Sequence, residues 1–266
     1  MNGDYAGRQV VGMDLHRHRS VLVRMTEDGR KLGTARIANS PAALRAELAR
    51  AAENPRVVLE AMYGWCWAAD TLAAAGAEVH LAHPLGVKAY GYQRVKTDAR
   101  DATNLADLLR MGRLPEAWIT PPEIRDLREL TRYRQKLVGL RTSCKDQVHA
   151  VLAKLGIAVA CSDVFGVWGS AWLDGLALPQ PYAGKVTSLR GLIGEVNTEI
   201  SMLTEVIAGL LAGHPGYLVI QQLPGIGPVL AAVIVAEIGD VTRFRSAGQL
   251  ASWAGRPRGT GSPTSR

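Results

Sequence analysis

The sequence predicts an α/β domain followed by long helices. Three observations carry this reading. Short apolar, β-branched runs alternate with helical patterns only up to about residue 120. The pair Pro121-Pro122 then punctuates the chain. Beyond it, apolar residues recur at helical spacing, and from Glu123 to Leu155 there is no proline and a single glycine, Gly139.

The elements follow in order. Gln9–Asp14 (QVVGMD) reads as a buried strand, Ser20–Met25 (SVLVRM) as a second and Lys31–Ile37 as a third. Glu27-Asp-Gly-Arg30 carries the Asp-Gly hairpin signal between the last two. Ser40-Pro41 opens a helix running to about Ala52, with serine as N-cap and proline in the first turn. Arg56–Glu60 is a short strand ending on an acid. Trp65–Ala75 is helical and closed by Gly76. Glu78–Ala82 is another strand, and Ala99–Met111 a strong amphipathic helix. The order β-β-β-α-β-α-β-α is the ribonuclease-H-like pattern. It is equally the pattern of one half of an actin-like ATPase, although that reading needs a second copy of the fold.

From residue 121 the pattern changes. Leu127, Leu130, Leu137, Cys144, Val148, Val151 and Leu155 fall on a 3/4 spacing, interrupted by Arg134 and Arg141. Gly156–Gly184 is rich in breakers. A second helix, about Val186–Leu211, returns, with Leu189, Leu192, Ile193, Val196, Ile200, Leu203 and Ile207 among its apolar positions. Two long helices joined by an irregular tip predict an antiparallel, coiled-coil arm. Leu223-Pro-Gly-Ile-Gly-Pro228 then turns into an apolar helix. The expected domains are 1–120 (α/β, ribonuclease-H-like), 121–212 (helical arm) and 213–266 (a partial α-helical domain).

Composition narrows the function. The 266 residues are 47% hydrophobic and 21% charged, which excludes a disordered polar chain. The net charge is +7, and 24 of the 31 basic residues are arginine. Arginine forks onto phosphate, so nucleic acid is one reading, and a codon bias towards Arg and Ala is the other. The charge is unevenly placed: residues 121–157 carry +4, 158–240 carry −5 and 241–266 carry +5. No apolar run is long enough for a membrane span, and no signal-peptide core opens the chain. Cys66, Cys144 and Cys161 are far apart and form no CxxC, so neither a zinc site nor a disulfide framework is expected. A reducing cytoplasm is the expected setting, with association to the nucleoid when DNA is bound.

Four carboxylates stand out. Asp14 ends the first strand, Glu60 ends the fourth, and Asp98 and Asp101 lie three apart in Lys96-Thr-Asp-Ala-Arg-Asp-Ala102, on one helix face. A two-metal nuclease centre needs such a set, because hard Mg²⁺ (or Mn²⁺) takes oxygen ligands and clamps both oxygens of an in-line phosphoryl displacement. Each acid alone also reads as a solvated surface carboxylate, and Asp98 as a mere N-cap. Asp14, Glu60, Asp98 and Asp101 are the expected catalytic and metal-binding residues.

Gly225 and Gly227 carry a helix-hairpin-helix signature whose exposed amides hold a DNA phosphate. An αα-hairpin with glycines for tight packing fits the same residues. Arg243 and Arg245 beyond it, with Arg134 and Arg141 in the arm, complete the expected DNA-binding set. His16 and His18 either back up Asp14 or hydrogen-bond at the surface. His80 and His83 read as structural, and Trp65, Trp67, Trp168 and Trp172 as packing residues. There is no P-loop and no dinucleotide-binding glycine fingerprint.

At these residues a family becomes visible. Val11-Gly-Met-Asp-Leu15, Val58-Leu-Glu60 and Lys96-Thr-Asp-Ala-Arg-Asp-Ala102 resemble the three blocks of the DEDD insertion-sequence transposases. Gln222-Leu-Pro-Gly-Ile-Gly-Pro228 and Phe244–Gly255 resemble the start of their C-terminal domain. The resemblance implies a Holliday-junction-resolvase-like domain with Mg²⁺ on Asp14, Glu60, Asp98 and Asp101. It also implies dimers or tetramers, and strand exchange guided by a structured RNA. The family further supplies a catalytic serine downstream of the block that ends here at Gly255. Neither Ser262 nor Ser265 aligns with it, so the tail reads as the end of a truncated or frame-shifted copy. The alternative function is a non-catalytic DNA- or RNA-binding protein using the arginine-rich arm and tail.

Overall fold

The computed structural model describes residues 5, 7–90 and 97–255. Lys96 and the tail serines Ser262 and Ser265 lie outside the described residues. The chain divides into two compact units, Met1–Ile119 and Thr120–Arg266.

The first unit is an α/β layer structure. Its strands are β1 (Gln9–Leu15), β2 (Arg19–Thr26), β3 (Lys31–Ala38), β4 (Arg56–Glu60), β5 (Glu78–Ala82) and β6 (Glu116–Ala117). Its helices are α1 (Pro41–Leu48), α2 (Trp65–Ala74), α3 (Pro84–Lys88) and α4 (Asp98–Arg110). The sheet order is β3-β2-β1-β4-β5-β6. β1 pairs antiparallel with β2 and parallel with β4, and β4 pairs parallel with β5. The central strands read as continuous apolar runs because both sheet faces are covered. Val11, Met13, Val57 and Leu59 pack against Leu44, Ala68 and Leu72 of α1 and α2. Val10, Val23, Val58 and Ala82 pack against Ala102, Leu105, Ala106 and Leu109 of α4. β3 lies at the edge and alternates exposed with half-buried residues, Lys31 and Arg36 among them.

Two local differences from the sequence reading have physical causes. Helix α1 stops at Leu48 rather than near Ala52, because the chain must reverse into β4 through Asn54, whose φ is 50°, and Pro55. The two-residue strand β6 is too short to carry a sequence period; its partner is β5.

The second unit is helical. α5 (Pro122–Lys154), α6 (Val167–Asp174), α7 (Tyr182–Leu211), α8 (Pro215–Ile220), α9 (Pro228–Ile238) and α10 (Ala247–Trp253) follow, with a 3-10 turn at Val241–Arg243. α5 and α7 run antiparallel. Leu127 meets Ile207 and Leu211, Leu137 meets Ile200 and Leu203, and Val148 to Leu152 meet Val186 and Leu189. α6 folds within the breaker-rich tip and packs Leu173 into the last of these clusters. α8 and α9 share one core with the start of α5 and the end of α7, through Tyr217, Ala231, Ala232, Val235 and Ala236. Arg128 fastens this core. Its guanidinium donates to the carbonyls of Ala236 (2.7 Å) and Glu237 (2.8 Å), the orphan acceptors of the last turn of α9. Among the described residues no helix is long and apolar enough to cross a membrane.

Candidate functional site

The first unit places its acids by simple strand and helix rules. Side chains alternate along a strand. Val10 and Gly12 of β1 and Val58 of β4 face α4, so Asp14 and Glu60 fall on that same face. Both stand at the carboxyl ends of adjacent parallel strands, one step past the Met13–Leu59 pair. α4 is laid across this face by Gly12, where the helix backbone comes so close that no side chain fits. Its N-cap Thr97 accepts from the Arg100 amide, and Asp98 and Asp101 occupy the first turn, where the helix dipole favours negative charge.

Asp14 is more enclosed than Asp98, with 19% of its side chain exposed against 28%. Its Oδ2 is buried and has no hydrogen-bond partner. His16 Nε2 lies 3.0 Å from that oxygen and 3.4 Å from Asp98 Oδ1. Arg19 Nη2 lies 3.6 Å from the other Asp98 oxygen. Burial pushes the Asp14 carboxyl above its ordinary value; His16 opposes this, and the charges of Asp101 and Asp98 reinforce it. Candidate ligand atoms of Asp14, His16 and Asp98 all lie within 4.8 Å of one another. Asp101 reaches Asp14 through its charge, and Glu60 ends the neighbouring strand on the same face.

The sequence reads His16 only as backing up Asp14 or hydrogen-bonding at the surface, and Arg19 was not among the expected site residues. Their signal in the sequence was only proximity to Asp14, since the tight β1–β2 connection folds both back over the strand end. His80 sits between Glu78 (2.9 Å) and Glu116 (3.1 Å), and His83 caps α3, so both have structural partners.

The expected DNA-binding residues divide. Gly225 has φ 84° and lets the chain turn between α8 and α9. Gly227 is the extended N-cap of α9, with no side-chain cap and open space around it. Arg134 donates to Thr204 (2.7 Å) and Arg141 to Asn197 (3.0 Å), which explains why two arginines interrupt the apolar spacing of α5. Arg243 donates to the Ile238 carbonyl and stacks on Phe244 at 4.1 Å. Arg245 joins the α10 cap through its backbone amide, which donates to Gln249.

Comparison with known proteins decides the family. Residues 11–157, more than half of the chain, match the transposase model of the IS110-type DEDD group. The chain belongs to this transposase family. Residues 217–257 match a second model of the family, described as the IS116/IS110/IS902 transposases. The family's relatives include y4qE of Sinorhizobium fredii, 28% identical over 176 residues, which covers 65% of this chain and 43% of that one. A Pseudomonas aeruginosa protein described as a probable family 20 transposase is 25% identical, over 71% of this chain and 56% of its own. The transposase for insertion sequence element IS1111A of Coxiella burnetii is 23% identical, over 75% of this chain and 55% of its own. The chain thus spans about half the length of the curated family members it matches.

Proposed function

We propose that the chain acts on insertion-sequence DNA as a transposase, with strand cleavage and exchange at a divalent-metal centre in the first unit. The observation that carries this is Asp14: a buried carboxylate oxygen without a hydrogen bond, facing two further aspartates. A buried acceptor left unsatisfied costs stability unless a cation or donor occupies the site. The donors around it are hard oxygens, so the residues fit the ion that the family implies. Asp14, Glu60, Asp98 and Asp101 would hold Mg²⁺ or Mn²⁺. Such an ion, when bound, activates the attacking oxygen and offsets charge on the phosphoryl group.

The chain's own residues do the positioning. Asp14 and Glu60 project from rigid strand ends, and the capped first turn of α4 presents Asp98 and Asp101, so the acids are set before DNA arrives. Arg19 holds one oxygen of Asp98 and leaves an exposed guanidinium at the rim for a phosphate. The strand order β3-β2-β1-β4-β5, with acids ending β1 and β4, supports the ribonuclease-H-like assignment. In the second unit, the Gly225–Gly227 turn and the N-terminus of α9 hold a DNA phosphate in the helix-hairpin-helix manner. Met202, Val206 and Leu210 form an exposed apolar stripe along α7, which supports self-association into dimers or tetramers. The guide RNA rests on the family resemblance.

The test is Mg²⁺- or Mn²⁺-dependent cleavage of element-end DNA by the chain, with Asp14→Ala and Asp98→Ala beside it. Loss of cleavage in both variants is expected. Cleavage indifferent to both would overturn the metal centre.

A further inference from the structure

We propose that His16 is a fifth ligand of the metal centre, and that its imidazole nitrogen biases the site towards Mn²⁺ over Mg²⁺. The inference rests on the metal-centre reading above and adds a residue outside its four carboxylates.

The spacing is the first argument. His16 Nε2 is 3.0 Å from Asp14 Oδ2 and 3.4 Å from Asp98 Oδ1, so one ring nitrogen faces both carboxylates. Two donors bound side by side on one octahedral ion, with bonds of roughly 2.1 Å, sit about 3.0 Å apart. The His16–Asp14 separation of 3.0 Å matches this value, and the His16–Asp98 separation of 3.4 Å lies slightly beyond it.

The backbone is the second. His16 follows directly on the end of β1 and is pinned from both sides. Its N–H donates to the Arg19 carbonyl at 3.1 Å, and its carbonyl accepts from Asn39 Nδ2 at 2.5 Å. Asn39 is itself anchored by the hydroxyl of the fully buried Ser20, at 2.6 Å. A ligand on so restrained a connection keeps its place whether or not an ion is present. Arg19 completes the arrangement: by facing Asp98 Oδ2, it leaves Oδ1 turned towards His16.

The chemistry sets the direction of the bias. Mg²⁺ keeps its waters and prefers oxygen donors, whereas transition ions gain from imidazole nitrogen. A site of carboxylates alone lacks that gain. A histidine that merely neutralised its carboxylates would weaken every divalent ion alike.

The experiment uses the full chain and reads metal binding rather than catalysis. Mn²⁺ and Mg²⁺ are titrated by calorimetry into the parent, His16→Ala, His16→Asp and Asp14→Ala. Mn²⁺ bound to the parent is also examined by electron spin echo envelope modulation. The expected results are ¹⁴N modulation in the parent and its loss in both His16 variants. Mn²⁺ affinity should fall about tenfold or more in His16→Ala, with Mg²⁺ affinity changed by less than about threefold. Absence of ¹⁴N modulation in the parent, or an equal change in the affinity for both ions in His16→Ala, whether weaker or tighter, overturns the proposal. Asp14→Ala separates the two levels. If it retains full affinity for both ions, the metal centre itself is wrong; if it loses both while His16→Ala changes neither, only the role of His16 falls.

Discussion

A Cβ added at Gly12 would fall 1.8 Å from the carbonyl oxygen of Ala102. This contact between β1 and α4 sets how deeply the helix sits on the sheet, two residues before Asp14 and one after Asp101. Fold and site therefore depend on the same absent methyl. Gly12→Ala should destabilise the chain by about 3 kcal/mol, the upper range for overpacking a dense core. It should also weaken divalent-ion binding by lifting Asp98 and Asp101 away from Asp14. Urea unfolding checks the first; a variant within about 0.5 kcal/mol of the parent would contradict the close packing.

Asp14 predicts a conflict between stability and function. Its carboxyl is raised above the ordinary value by burial and by its acidic neighbours. For a raised acid, the stability of the protonated form is present below the ordinary value and lost as pH rises through the elevated one. In EDTA the chain should therefore lose stability as pH climbs through that window. Asp14→Asn should remove this slope and raise Tm at neutral pH by a few degrees, about 1 kcal/mol. Added Mg²⁺ or Mn²⁺ should stabilise the parent and leave the variant unchanged. Scanning calorimetry across pH, with and without the ion, measures both effects.

The second unit has the opposite pH dependence. Arg132 forks onto Glu237 at 2.7 and 2.8 Å, and these bonds lower the Glu237 carboxyl below its ordinary value while partial burial opposes them. A lowered acid contributes stability above the ordinary value and loses it as pH falls through the depressed one. Glu237→Gln should flatten the acid limb of the stability profile. Its cost at pH 7 should stay near 1 kcal/mol, since the pair is partly solvated. Circular dichroism melts between about pH 2 and 7 follow the window, and an unchanged acid limb would argue against the pair.

The two glycines of the α8–α9 turn should behave differently. Gly225 has φ 84°, so alanine there costs about 1 kcal/mol from backbone strain, although nothing crowds its Cβ. Gly227 has φ −82° and ψ 175° with open space around it, so alanine leaves the fold intact. A phosphate seated against this turn would still meet the added methyl. Gly227→Ala should therefore keep its Tm and lower DNA affinity in a fluorescence titration. Unchanged affinity would leave the turn as an ordinary helix connection.

Much of the fold was legible because its signals are local. The strand ends at Asp14 and Glu60 follow from short apolar runs, and the Asp-Gly hairpin, the Ser40 cap and the two long helices follow from spacing and turn chemistry. What was not legible depends on distant partners. Arg134 and Arg141 look like free cations in the sequence, yet their bonds to Thr204 and Asn197 span 70 and 56 residues. Arg128 acts as a helix cap only because α9 returns to α5 more than a hundred residues later.

The sequence by itself determined the order of elements and which carboxylates stand at strand ends, since hydrophobic period and chain punctuation are properties of neighbours along the chain. The tertiary structure alone decided that α4 lies against Gly12, that His16 meets both Asp14 and Asp98, and that Asp14 Oδ2 is left without a hydrogen bond. Those outcomes depend on close packing and desolvation between segments as far apart as residues 14 and 98, and no local pattern encodes such a distance.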